Sequence, residues 1–302
     1  MVNKMDKKIK FALPGLWLHF SMTQQFILYL EHHPEVLREN VEIGAVYDNF
    51  PYCIWDGGRI YSSYKHASLE DITIIKNFLN ERNIPLRLVF TNPVIEEQHL
   101  TDRFCNLVAK VCEDPLNEIV VNSELLENYL RENYPNFSYI SSTTKCNIFD
   151  TSLEEIDSNK YKYICLDYNQ NHNFKQLDSL NQNQKDQVEF LCNAICPPGC
   201  TSRKEHYRLN GLFYINYLQQ YQMPGCRIKE CTIHPDTQSY CNHISPEEIE
   251  KIYIPKGFSM FKLEGRTLPS AEAFLNYVRY LIKPEYQFSV IEDLFYTVAS
   301  AV

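Results

Sequence analysis

Eight times along this chain a short run of β-branched and aromatic residues ends in polar residues and gives way to an amphipathic helical pattern. The runs are KFALPG (10–15), VEIGAVYDN (41–49), LRLVFTN (86–92), NEIVVNS (117–123), FSYISSTT (137–144), YICLDY (163–168), VEFLCNA (188–194) and MFKLEGR (260–266). Most are apolar through the middle rather than alternating, which is how strands read when both faces are covered in a parallel sheet. Among the helical patterns, SLEDITIIKNFLNERN opens on Ser68 with Asp71 three residues later, the spacing of a capping box. HLTDRFCNLVAKVCED places Leu100, Phe104, Leu107, Val108 and Val111 on one expected face. Repeated strand–helix alternation over 302 residues predicts a single α/β domain, a (β/α)8 barrel spanning 1–302. Its thin places are a short helix near 151–158 and an irregular insert at 220–244, expected to hang over the barrel mouth before strand eight.

Barrels of this kind carry their sites at the carboxyl ends of the strands. Those ends hold Asp48, Asn49, Thr91, Asn92, Ser123, Ser141 to Lys145, Asp167, Asn193, Glu264 and Arg266. Asp167 is a candidate general base. Ser141, Thr143 and Lys145 offer hydroxyls and an ammonium to an anionic substrate group, without the glycines of a phosphate loop. Asn92 and Asn193 are further substrate-binding candidates. Strand alternation puts Lys262, Glu264 and Arg266 on one side, facing the interior, where three charges need partners or a ligand. Asp102 and Asn106 share a helix face one turn apart, which reads as an ordinary helix start.

Cys192, Cys196 and Cys200 are spaced by four in LCNAICPPGCTSRKEHY, but Pro197 and Pro198 forbid a continuing helix. The segment is therefore expected to fold back as a loop that brings Cys196 and Cys200 together. The insert adds Cys226, Cys231 and Cys241, and thiolates from two loops above a barrel mouth suit a 4Fe–4S cluster. Zinc is the alternative cofactor, with His206, His234 and His243 close in sequence. Cys53, Cys105, Cys112, Cys146, Cys165 and Cys192 read as buried apolar thiols.

A formal net charge of −9 argues against nonspecific phosphate binding, so nucleic acid is not an expected partner unless it is a structured RNA. No apolar run reaches the length of a membrane span. The start, MVNKMDKKIKFALPGLWLHF, sets lysines before an apolar patch that Pro14 and Gly15 interrupt, with no small-residue cleavage site. Eleven cysteines without an export signal predict reduced or metal-bound thiols and a cytoplasmic protein. Neither a Gly-x-Ser-x-Gly elbow nor a His-Glu-x-x-His is present in the sequence.

NAICPPGCTSRKEHY, SPEEIEKIYIPKGFSMFKLEGR and FKLEGRTLPSAEAFLNYVRYLI together resemble the collagenase-like U-type peptidases (unknown catalytic type), over roughly 187–282. The resemblance implies a (β/α)8 barrel with a 4Fe–4S cluster on four cysteines. Better understood members support oxygen-independent hydroxylation of ubiquinone precursors or hydroxylation of RNA bases, and others are called peptidases. By position, Cys196 and Cys200 would be ligands, Asn193 and Arg203 would lie beside them, and Lys262, Glu264 and Arg266 would line the mouth. The family's upstream Cys/Ser/Gly-rich motif is missing, and SSTTKCN stands near Ser141 instead. The remaining ligands would then come from Cys231 and Cys226, with Cys241, Cys192 and His206 as substitutes.

The resulting expectation is an iron–sulfur enzyme acting on a small or modified molecule by redox or hydroxylation-like chemistry, served by an electron donor or a partner subunit. A metal-independent hydrolase or lyase built on Asp167 and the Lys262, Glu264 and Arg266 group is one alternative. A non-catalytic accessory barrel is the other.

Overall fold

The computed structural model describes residues 7–60, 66–216 and 241–299. Eight parallel strands close into a barrel in chain order: β1 (Ile9–Pro14), β2 (Val41–Asp48), β3 (Leu86–Phe90), β4 (Glu118–Val121), β5 (Ser138–Ser141), β6 (Tyr163–Cys165), β7 (Val188–Leu191) and β8 (Met260–Lys262). β8 returns to β1 with Lys10 opposite Met260 and Ala12 opposite Lys262. The closed (β/α)8 architecture read from the sequence is the one observed.

Two apolar layers follow from strand alternation. Leu88, Phe90, Ile119, Val121 and Phe261 point outward into the large core shared with the helices. Ala12, Ala45, Val89, Val120, Ile140 and Met260 form a separate cluster that fills the barrel interior. Beneath it lies a feature the apolar look of the strands hides. Arg87 of β3 is fully buried and donates to Glu118 of β4 at 2.6 Å and to Glu189 of β7 at 2.5 Å. Lys162 reaches Glu118 from the barrel rim at 2.7 Å. Buried charges persist only when paired in this way.

The helices follow local sequence signals. Helix Leu69–Asn80 begins with the reciprocal Ser68–Asp71 capping box. The segment after β3 is broken in two, Glu97–Leu100 and Arg103–Cys112, because Asp102 caps the second helix by accepting from the Cys105 amide. The new start rotates the buried face to Cys105, Val108, Ala109 and Cys112 and leaves Leu107 exposed, so the stripe expected from Leu100 to Val111 is shifted. Between β5 and β6 a full helix, Phe149–Asp157, packs Phe149, Ser152 and Ile156 inward. Most of the insert expected at 220–244 lies outside the described residues. Among the described residues no helix is long and apolar enough to cross a membrane.

Candidate active site

At the carboxyl end of the strands the interior opens into a cavity of about 70 Å³, lined by Tyr47, Thr91, Tyr168, Lys262, Glu264 and Arg266 among others. Lys262 ends β8 and is buried in its floor. Its Nζ lies 4.1 Å from the centre of the Tyr47 ring, and among the described residues it has no ion pair or hydrogen bond. Burial pulls the Lys262 pKa below the usual lysine range, against the attraction of Glu189. Thr91 and Tyr168 line the same space, are almost wholly buried, and leave the Thr91 Oγ1 and the Tyr168 hydroxyl without a hydrogen-bond partner among the described residues. Buried hydroxyls are normally satisfied, so two orphans in one cavity ask for a bound partner. The Arg203 guanidinium carbon lies 4.2 Å from the Tyr168 ring centre, and its charge opposes the upward push of burial on the phenol.

Two arginine-centred clusters build the wall and a third lies behind it. Arg266 donates through Nε to Asp48 at 2.6 Å, through Nη2 to both Asp56 oxygens at 2.8 and 2.6 Å, and through Nη1 to the Gly57 carbonyl at 3.1 Å. Burial pushes both carboxyls up, Asp56 to about 6, against the opposing field of Arg266. Arg59 donates to Glu264 at 2.6 Å and to Cys196 Sγ at 3.3 Å. The other Glu264 oxygen accepts from the Ile195 amide at 2.8 Å. Arg203 holds Asp167 bidentately at 3.1 and 2.5 Å and also donates to Cys146 Sγ at 3.0 Å.

These contacts sort the residues read from the sequence. Lys262, Glu264, Arg266 and Thr143 line the cavity. Asp167 does not stand as an unencumbered base: both oxygens are held by Arg203, and Oδ1 also accepts from the Asn169 amide. Ser141 and Lys145 turn away from the mouth, because both donate to Glu155 on the outer helix, at 2.6 and 2.8 Å. Asn92 is consumed in scaffolding, donating to the Ile54 and Gly211 carbonyls. Asn193 exchanges two hydrogen bonds with the Glu264 backbone and so fixes the end of β8 against β7. Cys146 is no inert core thiol but a half-buried acceptor for Arg203.

Asp56 and Arg59 were missed. They sit in the loop after β2, and the available signal was WDGGRI (55–60), an acid and a base around two glycines just past a strand end. Gly57 has to be glycine there: a Cβ would sit 2.5 Å from the Thr91 carbonyl oxygen.

Cys196 and Cys200 are both buried, and Cys196 packs with Cys165, Tyr168, Leu191 and Ala194. Cys226 and Cys231 lie outside the described residues. Among the described residues no three His, Cys, Asp or Glu side chains are grouped to hold a metal ion. The described donors alone therefore do not make a site for a four-cysteine cluster.

Fold and site together define a (β/α)8 barrel with a small cavity at the carboxyl ends of its strands, where barrels of this architecture carry their sites. A solved structure of the U32 peptidase Mk0906 is similar to this chain at 10% identity and a TM-score of 0.47, covering 86% of this chain and 93% of that one. No family model matches the sequence, and no curated protein matches it.

Proposed function

We propose that this barrel is an enzyme that binds a small polar molecule in the mouth cavity and acts on it through Lys262. The observation that carries the reading is the convergence around one space of two buried hydroxyls without partners among the described residues, Thr91 Oγ1 and that of Tyr168, with the Lys262 amine, which has no ion pair among them. A cavity of about 70 Å³ admits roughly five water-sized groups at ~10–15 Å³ each, which sets the scale of the substrate or of its reacting end. Thr91 and Tyr168 would orient it by hydrogen bonds. The arginine clusters hold the wall rigid, and a fixed wall is what positions a reactant.

Saturation-transfer NMR with a panel of small carboxylates, aldehydes and amides tests this reading. At least one compound should bind the wild type and not the Thr91→Val, Tyr168→Phe double variant. A panel that binds neither, or both equally, overturns it.

A second reading keeps the iron–sulfur cofactor, with Cys196 and Cys200 completed by Cys226 and Cys231. The hydrogen bond from Arg59 to Cys196 Sγ favours it, because hydrogen bonds to the ligand sulfurs are a means by which a protein tunes such a cluster. When bound, the cluster would supply electron-transfer or Lewis-acid chemistry. Redox or hydroxylation-like chemistry, an electron donor or partner subunit, and residence in the reducing cytoplasm belong to this reading. Iron and sulfide analysis of protein purified under argon tests it: stoichiometric iron, lost in Cys196→Ala and Cys200→Ala, supports it, and iron-free protein sinks it.

A further inference from the structure

We propose that Lys262 is an imine-forming lysine whose substrate is a small carbonyl compound, an aldehyde or a 2-oxo acid. The inference rests on the mouth-cavity reading above and goes further by naming the reaction. Every other lysine or arginine that lines this cavity is matched to acids: Arg59 to Glu264, and Arg266 to Asp48 and Asp56. Among the described residues Lys262 alone of these has no carboxylate at ion-pair distance, and its Nζ rests 4.1 Å from the centre of the Tyr47 ring. Tyr47 itself is tied down by donating to the Leu263 carbonyl at 2.6 Å.

A nucleophilic lysine needs a neutral amine, and burial shifts the balance toward it by disfavouring the ammonium. The chemistry balances without any oxidant. The Nζ lone pair forms a C–N bond to the carbonyl carbon as the C=O π pair moves to oxygen, and one of the two N–H protons passes to that oxygen to give a carbinolamine. Loss of the remaining N–H proton and of the hydroxyl as water then gives the C=N bond. Tyr168 is suited to assist: burial holds its phenol far above the usual range, so it stays protonated and donates to the carbonyl oxygen. Thr91 Oγ1 offers a second contact to the same oxygen or to the departing water.

Glyoxylate and acetaldehyde, one anionic and one neutral, are the probes. The full chain is incubated with each at neutral pH, reduced with borohydride, digested and mapped by mass spectrometry, while saturation-transfer NMR on the unreduced sample reports binding. Wild-type protein should gain a reduced adduct on Lys262, and that lysine should label about tenfold faster than the surface lysines for each unit by which its pKa lies below theirs. Lys262→Met should lose that adduct alone, with its melting curve confirming that it folds. The mapping on wild-type protein decides the matter even if the variant does not fold. Binding without an adduct at Lys262, or label spread evenly over surface lysines, overturns the imine while leaving the small-molecule site standing. Neither binding nor adduct with any compound removes both.

Discussion

Arg266 and Asp48 meet across 218 residues of sequence, Nε to Oδ1 at 2.6 Å, and their contact ties the end of β8 to the end of β2 over the top of β1. The second carboxylate on Arg266, Asp56, draws the loop after β2 into the same knot. The mouth is therefore shaped by one guanidinium shared between two buried acids.

Removing that guanidinium exposes the acids to their own burial. Arg266→Met should lower unfolding stability by about 3–5 kcal/mol, the usual consequence of leaving buried charge uncompensated. The pH dependence is diagnostic. Without Arg266 the folded-state pKa values of Asp48 and Asp56, already raised, rise further, so the folded variant binds more protons than the unfolded chain, and its stability falls as pH rises. Urea midpoints should show a larger deficit at about pH 8 than at about pH 5. Adding Asp48→Asn and Asp56→Asn should recover part of the loss. A deficit that is the same at both pH values would mean that the acids are solvated in the variant.

Gly57 carries the same loop against β3. A methyl group there would press on the Thr91 carbonyl oxygen at 2.5 Å and on the Asn92 nitrogen at 2.8 Å, both backbone atoms that cannot rotate away. Gly57→Ala should destabilise the barrel by about 1–3 kcal/mol. It should also weaken ligand binding more than the stability loss explains, because Thr91 and Arg266 both move with this contact. Isothermal titration with any ligand found for the wild type, at a temperature where both proteins are folded, separates the two effects.

The barrel was legible because eight apolar runs and their helix caps are local signals: Ser68 and Asp71 lie three residues apart and announce their helix. The site was less so. Lys262, Glu264 and Arg266 could be placed on one side by strand period alone, but Asp48, Asp56 and Arg59 enter through pairings more than 200 residues long. Ser141 and Lys145 look like mouth residues until the helix that follows brings Glu155 to the outside of β5. Nothing local in the sequence reveals that Arg87, Glu118 and Glu189 meet inside the barrel.

Ser141 and Lys145 supply a contrast. Their partner is Glu155, on the far side of the strand from the cavity. Ser141→Ala should lower stability by about 1 kcal/mol, one side-chain hydrogen bond, and leave ligand affinity within a factor of two of wild type. A tenfold loss of affinity, measured by titration, would place Ser141 at the mouth after all.

Lys262 gives the sharpest test of how dry the cavity is. Burial lowers its folded-state pKa below the ordinary lysine value of 10.5. Between the folded value and 10.5 the unfolded chain still holds a proton that the folded chain has released, so unfolding takes up protons and stability rises with pH across that window. Below the folded pKa the ammonium is charged in both states, and its desolvation counts fully against the fold. Lys262→Met removes that penalty while keeping an unbranched side chain over Tyr47. The variant should therefore be more stable than wild type at neutral pH, by about 1.4 kcal/mol for each unit by which the pKa is depressed. The advantage should shrink steadily as pH rises toward about 10, where the wild-type amine is neutral when folded. Melting temperatures measured side by side from about pH 6 to about pH 10 check this directly. Parallel curves would show that Lys262 is fully hydrated, and a hydrated lysine at that position would be an ordinary cation with no special reactivity.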